Sequence, residues 1–166
     1  MSTHDIVVKQ YTKAHAKSIA EQLFSGVPEK VVREQREELL MPGPDEVFSV
    51  CALSGTDVVG VCTGVRLRWY GSKHRIEMVQ VVVREDFRGR GVARQMMMKI
   101  AEHFSVRGIE IIQISAESKN EAAIKAYEKI GFRQFGKLKN GLKYDETEYS
   151  DEIMMAASID LVLDKK

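Results

Sequence analysis

A glycine-rich turn between a strand-like and a helix-like segment carries the residues best suited to chemistry. The run Arg88-Gly89-Arg90-Gly91-Val92-Ala93 lies between the apolar stretch Met78 to Val83 and the helix-like stretch Arg94 to Phe104. Glycines let backbone N–H groups approach a ligand, and the first turn of the following helix adds unpaired donors and the positive end of its dipole. Because three arginines add positive charge, the turn predicts a site for an anion with several phosphates.

Two common phosphate loops do not match this spacing. A P-loop requires Gly followed by Lys and then Ser or Thr, and that triplet is absent from the chain. A dinucleotide fingerprint requires glycines at the first, third and sixth positions, but counting from Gly89 and Gly91 the sixth is Arg94. The bulk of that side chain opposes close helix-to-strand packing. The spacing therefore disfavours both a nucleoside triphosphate and NAD.

A looser pattern does fit the turn. It consists of Arg or Gln, two residues, Gly, one residue, and then Gly or Ala, and it is met by Arg88, Gly91 and Ala93. The pattern resembles the pyrophosphate turn of the GNAT superfamily, the acyl-CoA-dependent N-acetyltransferases. The preceding segment, Val81 to Arg88, is similar to the strand and loop that lead into that turn. A pattern with this much freedom is weak alone, so the rest of the chain has to supply context.

A second signature lies downstream in the right order. Asn120, then Tyr127 seven residues later, then Gly131-Phe132 resemble the second signature of the same family. The similarity covers Ile76 to Phe132, and the tail Tyr149 to Met155 is similar to some bacterial members. The resemblance is thus to GNAT enzymes of bacterial or archaeal type that acetylate small amines or peptides. The front third of the chain carries no such signal.

The elements predicted from residue patterns are those of an α/β protein. Apolar β-branched runs predict strands, and helical periodicity predicts helices. The predicted strands are Asp5 to Tyr11, Val47 to Leu53, Val58 to Trp69, Arg75 to Val83, Ile109 to Ala116, Phe132 to Leu138, Leu142 to Tyr144 and Ile153 to Leu163. The predicted helices are His15 to Phe24, the stretch from Pro28 to Pro42, the stretch from Val92 to Phe104, and the stretch after Asn120.

Local patterns also predict which faces are apolar and where the chain turns. One face of the second helix comprises Val31, Val32, Gln35, Leu39 and Leu40. One face of the third comprises Val92, Met96, Met97, Ile100, Ala101 and Phe104, and Gly108 is placed to end that helix. Asn140-Gly141 is a strong turn dipeptide, which predicts a hairpin between the strands that flank it.

The resemblance implies the GNAT fold, with residues 1–166 as a single domain. This α/β fold has a mixed, mostly antiparallel central sheet of about seven strands with helices on both faces. Two neighbouring parallel strands at its centre splay apart, and the cofactor enters the gap. Here those strands would be Ile76 to Val83 and Ile109 to Ala116.

The resemblance also implies acetyl-CoA as the acyl donor. Backbone groups in the strand Val81 to Val83 would polarise the thioester carbonyl and hydrogen bond the pantetheine amides. The N–H groups of Arg88 through Arg94 would hold the phosphates. The implied cofactor-binding residues are Val81, Val82, Val83, Arg88, Gly89, Arg90, Gly91, Val92, Ala93, Arg94 and Asn120. The arginines have an alternative interpretation as a solvated rim, and Asn120 as a helix cap.

Two residues are candidates for the chemistry of acetyl transfer, which requires a neutral amine, a polarised carbonyl and a proton for the departing thiolate. Tyr127 aligns with the tyrosine that family members commonly use as general acid, and its alternative is a core residue. Glu77 lies where some members hold a glutamate that deprotonates the amine through water, and burial beside Met78 and Val79 would raise its pKa. Its alternative is a solvent-facing ion pair. His74 is a poorer candidate, because a lone loop histidine is usually solvated.

Composition and charge limit the partners. The 166 residues are 44% hydrophobic and 30% charged with a formal net charge of +1, so no global field recruits nucleic acid or an anionic membrane. Met1 to Asp5 lacks a signal region and no stretch approaches the ~20 apolar residues of a membrane span, so a cytoplasmic location is expected. Cys51 and Cys62 have no metal-ligand spacing, so we expect reduced packing residues and no metal.

Two alternatives to an enzyme remain at this point. A non-catalytic CoA-binding regulatory domain would keep the pocket and lose the chemistry, and retention of Tyr127 and Glu77 speaks against it. A nucleic-acid contact at Arg84 to Arg94 would need aromatic side chains for stacking, and Phe87 alone is present there. Clusters of acidic residues are interpreted as solvated faces. The identity of the amine, the preference for another acyl-CoA and the oligomeric state, a homodimer included, stay open.

Overall fold

The computed structural model describes residues 5–164, in which seven strands form one sheet that carries five α-helices. The strands are β1 (Ile6–Gln10), β2 (Val47–Ser54), β3 (Asp57–Arg66), β4 (Arg75–Val83), β5 (Ile111–Glu117), β6 (Arg133–Lys143) and β7 (Tyr149–Ser158). The helices are α1 (Ala16–Leu23), α2 (Glu29–Leu40), α3 (Val92–Ser105), α4 (Glu121–Ile130) and α5 (Ile159–Leu163). The predicted α/β class is confirmed. Of the segment Met1 to Asp5, in which no signal region was predicted, residues 1–4 lie outside the described range.

The sheet is mixed and mostly antiparallel, as the resemblance implied. Its strand order is β1-β2-β3-β4-β5-β7-β6. Every neighbouring pair is antiparallel except β4 and β5, which run parallel. The parallel pair is possible because α3 provides the crossover between its two strands. The sheet therefore has its one parallel junction at the centre.

The two parallel strands part over their second halves. They pair from Arg75 opposite Ile111 to Met78 opposite Ile114. Beyond that point β4 continues beside β3 alone, while β5 continues beside β7. The predicted splayed strands are confirmed, although β5 begins two residues later than predicted. The result is a wedge between two strands of one sheet, open toward the carboxyl end of β4.

Two apolar clusters hold helices on opposite faces of the sheet. The larger cluster packs α3, α4 and α5 against one face. The smaller cluster packs α1 and α2 against the other face through side chains that include Ile19, Val32 and Val58. All six residues of the predicted apolar face of α3 are buried. Helical periodicity was therefore sufficient to orient α3 on the sheet.

A glycine sets how closely α3 approaches the sheet. A Cβ atom placed on Gly64 of β3 would lie 2.7 Å from Ile100 Cγ2 and 2.9 Å from Phe104 Cε2. Both of those side chains are fully buried in α3. A residue with any side chain at this position would push the helix away from β3.

The predicted hairpin at Asn140-Gly141 is wrong. Strand β6 runs through these residues, and its pairing with β7 shifts register between Leu138 and Leu142. Asn140 adopts φ 55° within this bulge, and its N–H donates to the Asp151 carboxylate at 2.9 Å. A turn dipeptide tolerates the left-handed conformation that a bulge also uses, so the same residues serve either structure. The actual β6–β7 turn lies at residues 144–148, where Asp145 accepts the N–H groups of Thr147 and Glu148.

The predicted last strand, Ile153 to Leu163, is also wrong at its end. Strand β7 stops at Ser158, whose hydroxyl accepts a hydrogen bond from the Leu161 N–H and begins α5. After Ser158 the side chains no longer alternate between the two faces of the sheet. Ile159 and Val162 instead lie on one face of α5 and pack into the larger cluster. A serine that acts as an N-cap is the signal that separates the two elements.

The predicted face of α2 is wrong at two positions. Val31 and Gln35 are exposed, whereas Val32 and Arg36 are buried. Since Val32 and Arg36 are four residues apart, they share one side of the helix. An arginine that was not part of the predicted face is therefore buried beside Val32.

Candidate active site

The glycine turn is open, and both of its glycines adopt positive φ. Gly89 and Gly91 adopt φ of 74° and 77°, and a Cβ atom placed on either would meet no heavy atom within 4 Å. Glycine is thus required at these two positions by the positive φ of the backbone, and not because a side chain would clash with the rest of the protein. Helix α3 begins at Val92, and its first helical hydrogen bond runs from the Gln95 N–H to the Gly91 carbonyl. The N–H groups of the first helical turn consequently point out of the helix toward solvent.

The arginines around the turn differ in how far the protein already engages them. The Arg88 N–H donates to the Glu85 carbonyl at 3.2 Å, and its side chain donates to the Val83 carbonyl at 3.1 Å. The Arg90 guanidinium stacks 5.1 Å from the Phe87 ring centroid. Arg88 therefore fastens the turn to the end of β4, and its own N–H group is already used within the protein.

Arg94 lies in the first turn of α3, and its side chain also makes a hydrogen bond within the protein. Its guanidinium donates to the Asp164 carbonyl at 3.0 Å. Arg84, at the end of β4, makes a two-point contact with the Asp86 carboxylate at 2.7 and 3.0 Å. This contact holds the pKa of Asp86 below its usual range. The basic residues therefore fix the shape of the loop as well as supplying its positive charge.

A β-bulge in β4 lies at the parting of the strands. Val79 pairs with Thr63 and Val82 pairs with Val61, so one more residue stands on β4 than on β3 between these pairs. Gln80 in this bulge adopts φ 54°. A non-glycine residue in the left-handed region costs about 1–2 kcal/mol, and such strain concentrates at functional sites. Nothing in the sequence signalled this bulge, because glutamine has no preference for that conformation.

Tyr127 is buried in the larger cluster, with 7% of its surface exposed. Its ring lies 6.1 Å from that of Phe132, and burial raises the pKa of its phenol to about 12. The hydroxyl forms no hydrogen bond with residues 5–164. The residue is therefore packed like a core side chain but keeps an unused donor, which is compatible with either interpretation made from the sequence.

Glu77 lies on the opposite face of the sheet from Tyr127. Its strand neighbours Ile76 and Met78 are buried in the cluster that contains Tyr127, so alternation turns Glu77 to the other side. It is half-buried and stands between Val65 of β3 and Gln113 of β5. No ion pair joins it to another described residue. The two candidates thus lie on opposite faces of the sheet.

Asn120 and His74 have structural roles. The Asn120 side chain accepts the Ala123 N–H at 3.2 Å and caps α4. The His74 carbonyl accepts the N–H groups of Glu110 and Ile111 at the far end of β4 from the glycine turn. The cap interpretation of Asn120 is therefore observed, and its contact with a cofactor stays a prediction.

A buried polar row, not predicted from the sequence, leads across the sheet to the gap. It consists of Tyr11, the residue after β1, Ser49 of β2 and Thr63 of β3, each of which neighbours the next. Thr63 in turn lies opposite Val79, the first residue of β4 beyond its pairing with β5. The Ser49 and Thr63 hydroxyls are 2.8 Å apart, and Arg36 of α2 donates to Ser49 Oγ at 3.0 Å.

Comparisons with known proteins place this geometry in a family. A family model of the GNAT acetyltransferases matches residues 13–132, a span that includes the glycine turn, the strand gap and Tyr127. The chain belongs to the GNAT acetyltransferase family. Human N-acetylaspartate synthetase is 31% identical over 100 residues, which are 60% of this GNAT chain and 32% of that protein. An uncharacterized N-acetyltransferase of Methanocaldococcus jannaschii is 28% identical over 107 residues, 63% of this chain and 46% of that protein.

Solved structures show the same GNAT fold at low sequence identity. An N-acetyltransferase of Staphylococcus aureus superposes with a TM-score of 0.77 at 18% identity, covering 93% of this chain and 99% of that one. A Salmonella typhimurium protein solved with its cofactor acetyl-CoA gives 0.75 at 16% identity, covering 98% and 96%. No helix in residues 5–164 of the GNAT chain combines the length and apolarity needed to cross a bilayer. In the same range, no three His, Cys, Asp or Glu residues are grouped so that they could hold a metal ion.

Proposed function

We propose that this GNAT protein acts as one domain that transfers the acetyl group of acetyl-CoA to a primary amine of a small molecule or peptide, by direct attack in a ternary complex. The observation that carries the proposal is the wedge between β4 and β5 next to the open glycine turn. A CoA-type donor whose phosphates bind the glycine turn can extend its pantetheine chain along the part of β4 that is not paired with β5. The acetyl-CoA in the Salmonella structure is a donor of this kind.

The N–H groups of residues 89–94 would hold the diphosphate, with Arg88 closing the turn and Arg90 adding charge. The backbone of Val81 to Val83 would hydrogen bond the arm of the carrier, and a backbone N–H at this edge would polarise the thioester carbonyl. Asn120 contributes at the other side of the gap as a neighbour of the cofactor. This division leaves the two candidate catalytic side chains free for proton transfer.

The reaction forms a C–N bond and breaks a C–S bond. Glu77 accepts a proton from the ammonium form of the acceptor through a water molecule, and the neutral amine then attacks the thioester carbon. Tyr127 donates its hydroxyl hydrogen to the departing sulfur, and its phenolate takes back a proton from the nitrogen that has formed the C–N bond. Its pKa of about 12 keeps the phenol protonated at neutral pH, so the donor is present in nearly every molecule. The products are the N-acetylated amine and the free thiol of CoA.

Isothermal titration with acetyl-CoA tests the phosphate site. Gly91→Val should abolish measurable binding, because it forces a branched side chain into φ 77° at the mouth of α3. Gly108→Val is the matched control, since Gly108 has φ 76° and open space but follows the other end of α3. Equal affinity in the Gly91 variant and the control would contradict the proposed phosphate site.

Release of CoA thiol against a panel of amines tests the transfer. A catalyst releases thiol only with an amine acceptor, whereas a non-catalytic CoA-binding domain binds acetyl-CoA and releases none. Binding without release from any amine, amino acid or peptide would therefore favour the regulatory alternative over the enzyme.

A further inference from the structure

We propose that Gln113 of β5 is a positioning residue for acetyl transfer, which holds the water molecule through which Glu77 takes a proton from the acceptor. The inference rests on the proposed function and deepens its proton-transfer step. It follows from the place of the two side chains in the sheet, from their lack of a direct contact, and from the accessibility of the face on which they lie.

Glu77 and Gln113 stand side by side at the end of the β4–β5 pairing. They are direct partners in the parallel register, and the next pair, Met78 with Ile114, is the last. Met78 and Ile114 are buried in the larger cluster, so Glu77 and Gln113 both face the other side of the sheet. On that side they form the last row before the strands part.

The amide of Gln113 turns its donor end toward solvent. Its Oε1 atom is enclosed by the protein without a hydrogen-bond donor in residues 5–164. Its Nε2 atom makes no hydrogen bond in that range either, but it is not among the enclosed atoms. The two N–H groups of the amide are therefore accessible and unused.

The carboxylate of Glu77 is accessible in the same way. Neither of its oxygens is enclosed without a partner, and it forms no hydrogen bond or ion pair with a residue that the structure describes. This holds even for Arg75, which lies two residues earlier on the same face of β4. A carboxylate and an amide N–H on adjacent strands, about 4.8 Å apart, are suited to each other but are not joined. A water molecule that accepts from Nε2 and donates to the carboxylate completes both.

The other neighbours of Glu77 on the gap side cannot hold that water. Val65 lies opposite it on β3, and Val79 is the next residue of β4 on the same face. Neither side chain has a hydrogen-bonding group. Gln113 is therefore the cross-strand neighbour of Glu77 whose side chain can orient a water molecule beside the proposed base.

The face that carries this pair is open to an acceptor. Helices α1 and α2 pack on β3 and β2, and the smaller apolar cluster contains no residue of β5 or β7. Along the row that crosses the sheet, Glu77, Gln113 and its β7 partner Ala156 are each partly exposed. The methyl group of Ala156 leaves space next to the amide. An acceptor reaches this row from solvent without displacing a helix.

The distance from the row to the strand gap suits a relay through one water molecule. Val79 lies two residues beyond Glu77, a rise of roughly 6.6 Å along the strand. Two consecutive hydrogen bonds of about 2.8 Å each, together with the length of the glutamate side chain, cover this rise. The water molecule passes one of its protons to the Glu77 carboxylate and takes one from the acceptor ammonium. Glu77 then releases the gained proton to solvent, which restores the base.

A double-mutant cycle separates this role from a structural one. Gln113→Met, Glu77→Gln and the double variant are assayed with acetyl-CoA and the amine that releases most CoA thiol from the wild type. Gln113→Met keeps the length of the side chain and loses the amide, so kcat should fall on the order of ten- to a hundred-fold while the affinity for acetyl-CoA is unchanged. In the Glu77→Gln background the same substitution should cost nothing further, because the water has no base to serve.

Gln134→Met is the control variant. Gln134 is an exposed glutamine of β6, so its replacement should leave kcat unchanged in both backgrounds. Circular dichroism establishes that each variant is folded. Gln113→Glu replaces Gln113→Met if the latter does not fold, since glutamate has the shape of glutamine but cannot donate the hydrogen bond.

Three results would overturn the inference and leave acetyl transfer itself intact. They are a wild-type rate in Gln113→Met, an equal loss of rate in both backgrounds, and a Glu77→Gln variant as fast as the wild type. Failure of the proposed function is recognised separately, by a wild type that binds no acetyl-CoA or releases no thiol with any amine of the panel.

A crystal structure of the CoA-bound protein provides a second readout that does not depend on turnover. A water molecule should lie within about 2.7–3.2 Å of both Gln113 Nε2 and the Glu77 carboxylate. In Gln113→Met this water should be lost or displaced. A direct hydrogen bond between the amide and the carboxylate, or a water beside Glu77 that persists in Gln113→Met, would contradict the proposed role.

Discussion

Met78 and Ile114 are the last partners at which β4 and β5 remain paired. The next residue of β4, Val79, faces Thr63 at the end of the polar row, and the residue after it has the left-handed φ of the bulge. The end of the β4–β5 pairing, the end of the polar row and the β-bulge therefore lie within two residues of one another. No short sequence motif predicts this combination.

Tyr127→Phe should lower kcat and leave the affinity for acetyl-CoA nearly unchanged. Removal of a positioned general acid costs about 10²–10⁴-fold in rate. The hydroxyl makes no hydrogen bond to a described residue, so its loss should not disturb the fold. Steady-state kinetics and titration with acetyl-CoA measure the two quantities. Tyr70→Phe is the control, because Tyr70 is fully exposed in the β3–β4 turn. Unchanged turnover in the Tyr127 variant would remove this residue from the mechanism.

Glu77→Gln should lower kcat with a smaller effect on KM. Glutamine keeps the size and polarity of the side chain but cannot accept the amine proton, so the expected loss is again about 10²–10⁴-fold. Rates measured over a range of pH should show the defect shrinking at high pH, where more of the amine is already neutral. Glu102→Gln, in an exposed pair with Lys99, is the matched control. A pH-independent loss would point to a structural role instead.

Gly64→Ala should destabilise the fold by about 1–3 kcal/mol, because the added methyl overlaps two fully buried side chains of α3. Urea denaturation at neutral pH gives the free energy of unfolding. Gly136→Ala is a useful comparison, since its close contact is the flexible end of Met154 at 2.7 Å and a smaller loss is expected. If both variants lose the same stability, the approach of α3 to β3 is less tight than the structure indicates.

Cys51 and Cys62 should resist alkylation in the native protein. Both thiols are fully buried, and burial raises the pKa of each to about 12. A raised pKa means that the folded state favours the neutral thiol, so this contribution to stability is complete below the ordinary pKa and is lost as pH rises toward 12. Iodoacetamide at pH 7 to 9 should label the thiols only after denaturation, as measured by mass spectrometry. Rapid labelling of the native protein would contradict their burial.

The sequence predicted the parts of the site that depend on local conformation. Glycine at 89 and 91 reports positive φ at the start of a helix, and the spacing from Met96 to Phe104 reports which side of α3 is buried. Both are properties of a few consecutive residues, so composition and periodicity were enough. The parted strands followed from the family resemblance rather than from the residues of β4 and β5 themselves.

Features that depend on distant partners were not predictable in the same way. Asn140-Gly141 gives a bulge because Asp151 of the next strand accepts the Asn140 N–H. Arg36 lies in a run of charged residues that is typical of a solvated face, and its burial follows from contacts with Ser49 of β2 and with Tyr11, which follows β1. The available signal was its spacing of four residues from Val32, which places an arginine on an otherwise apolar side of α2.

The close packing of α3 against Gly64 limits the length of the thioester donor that the protein can use. The start of α3 and the edge of β4 belong to one packed core, so this packing fixes the separation between the glycine turn and the strand gap. A donor held at both places must have an arm that matches this separation. Acetylated thiols too short to reach from one to the other should therefore be poor donors, although their thioester bond is equally reactive.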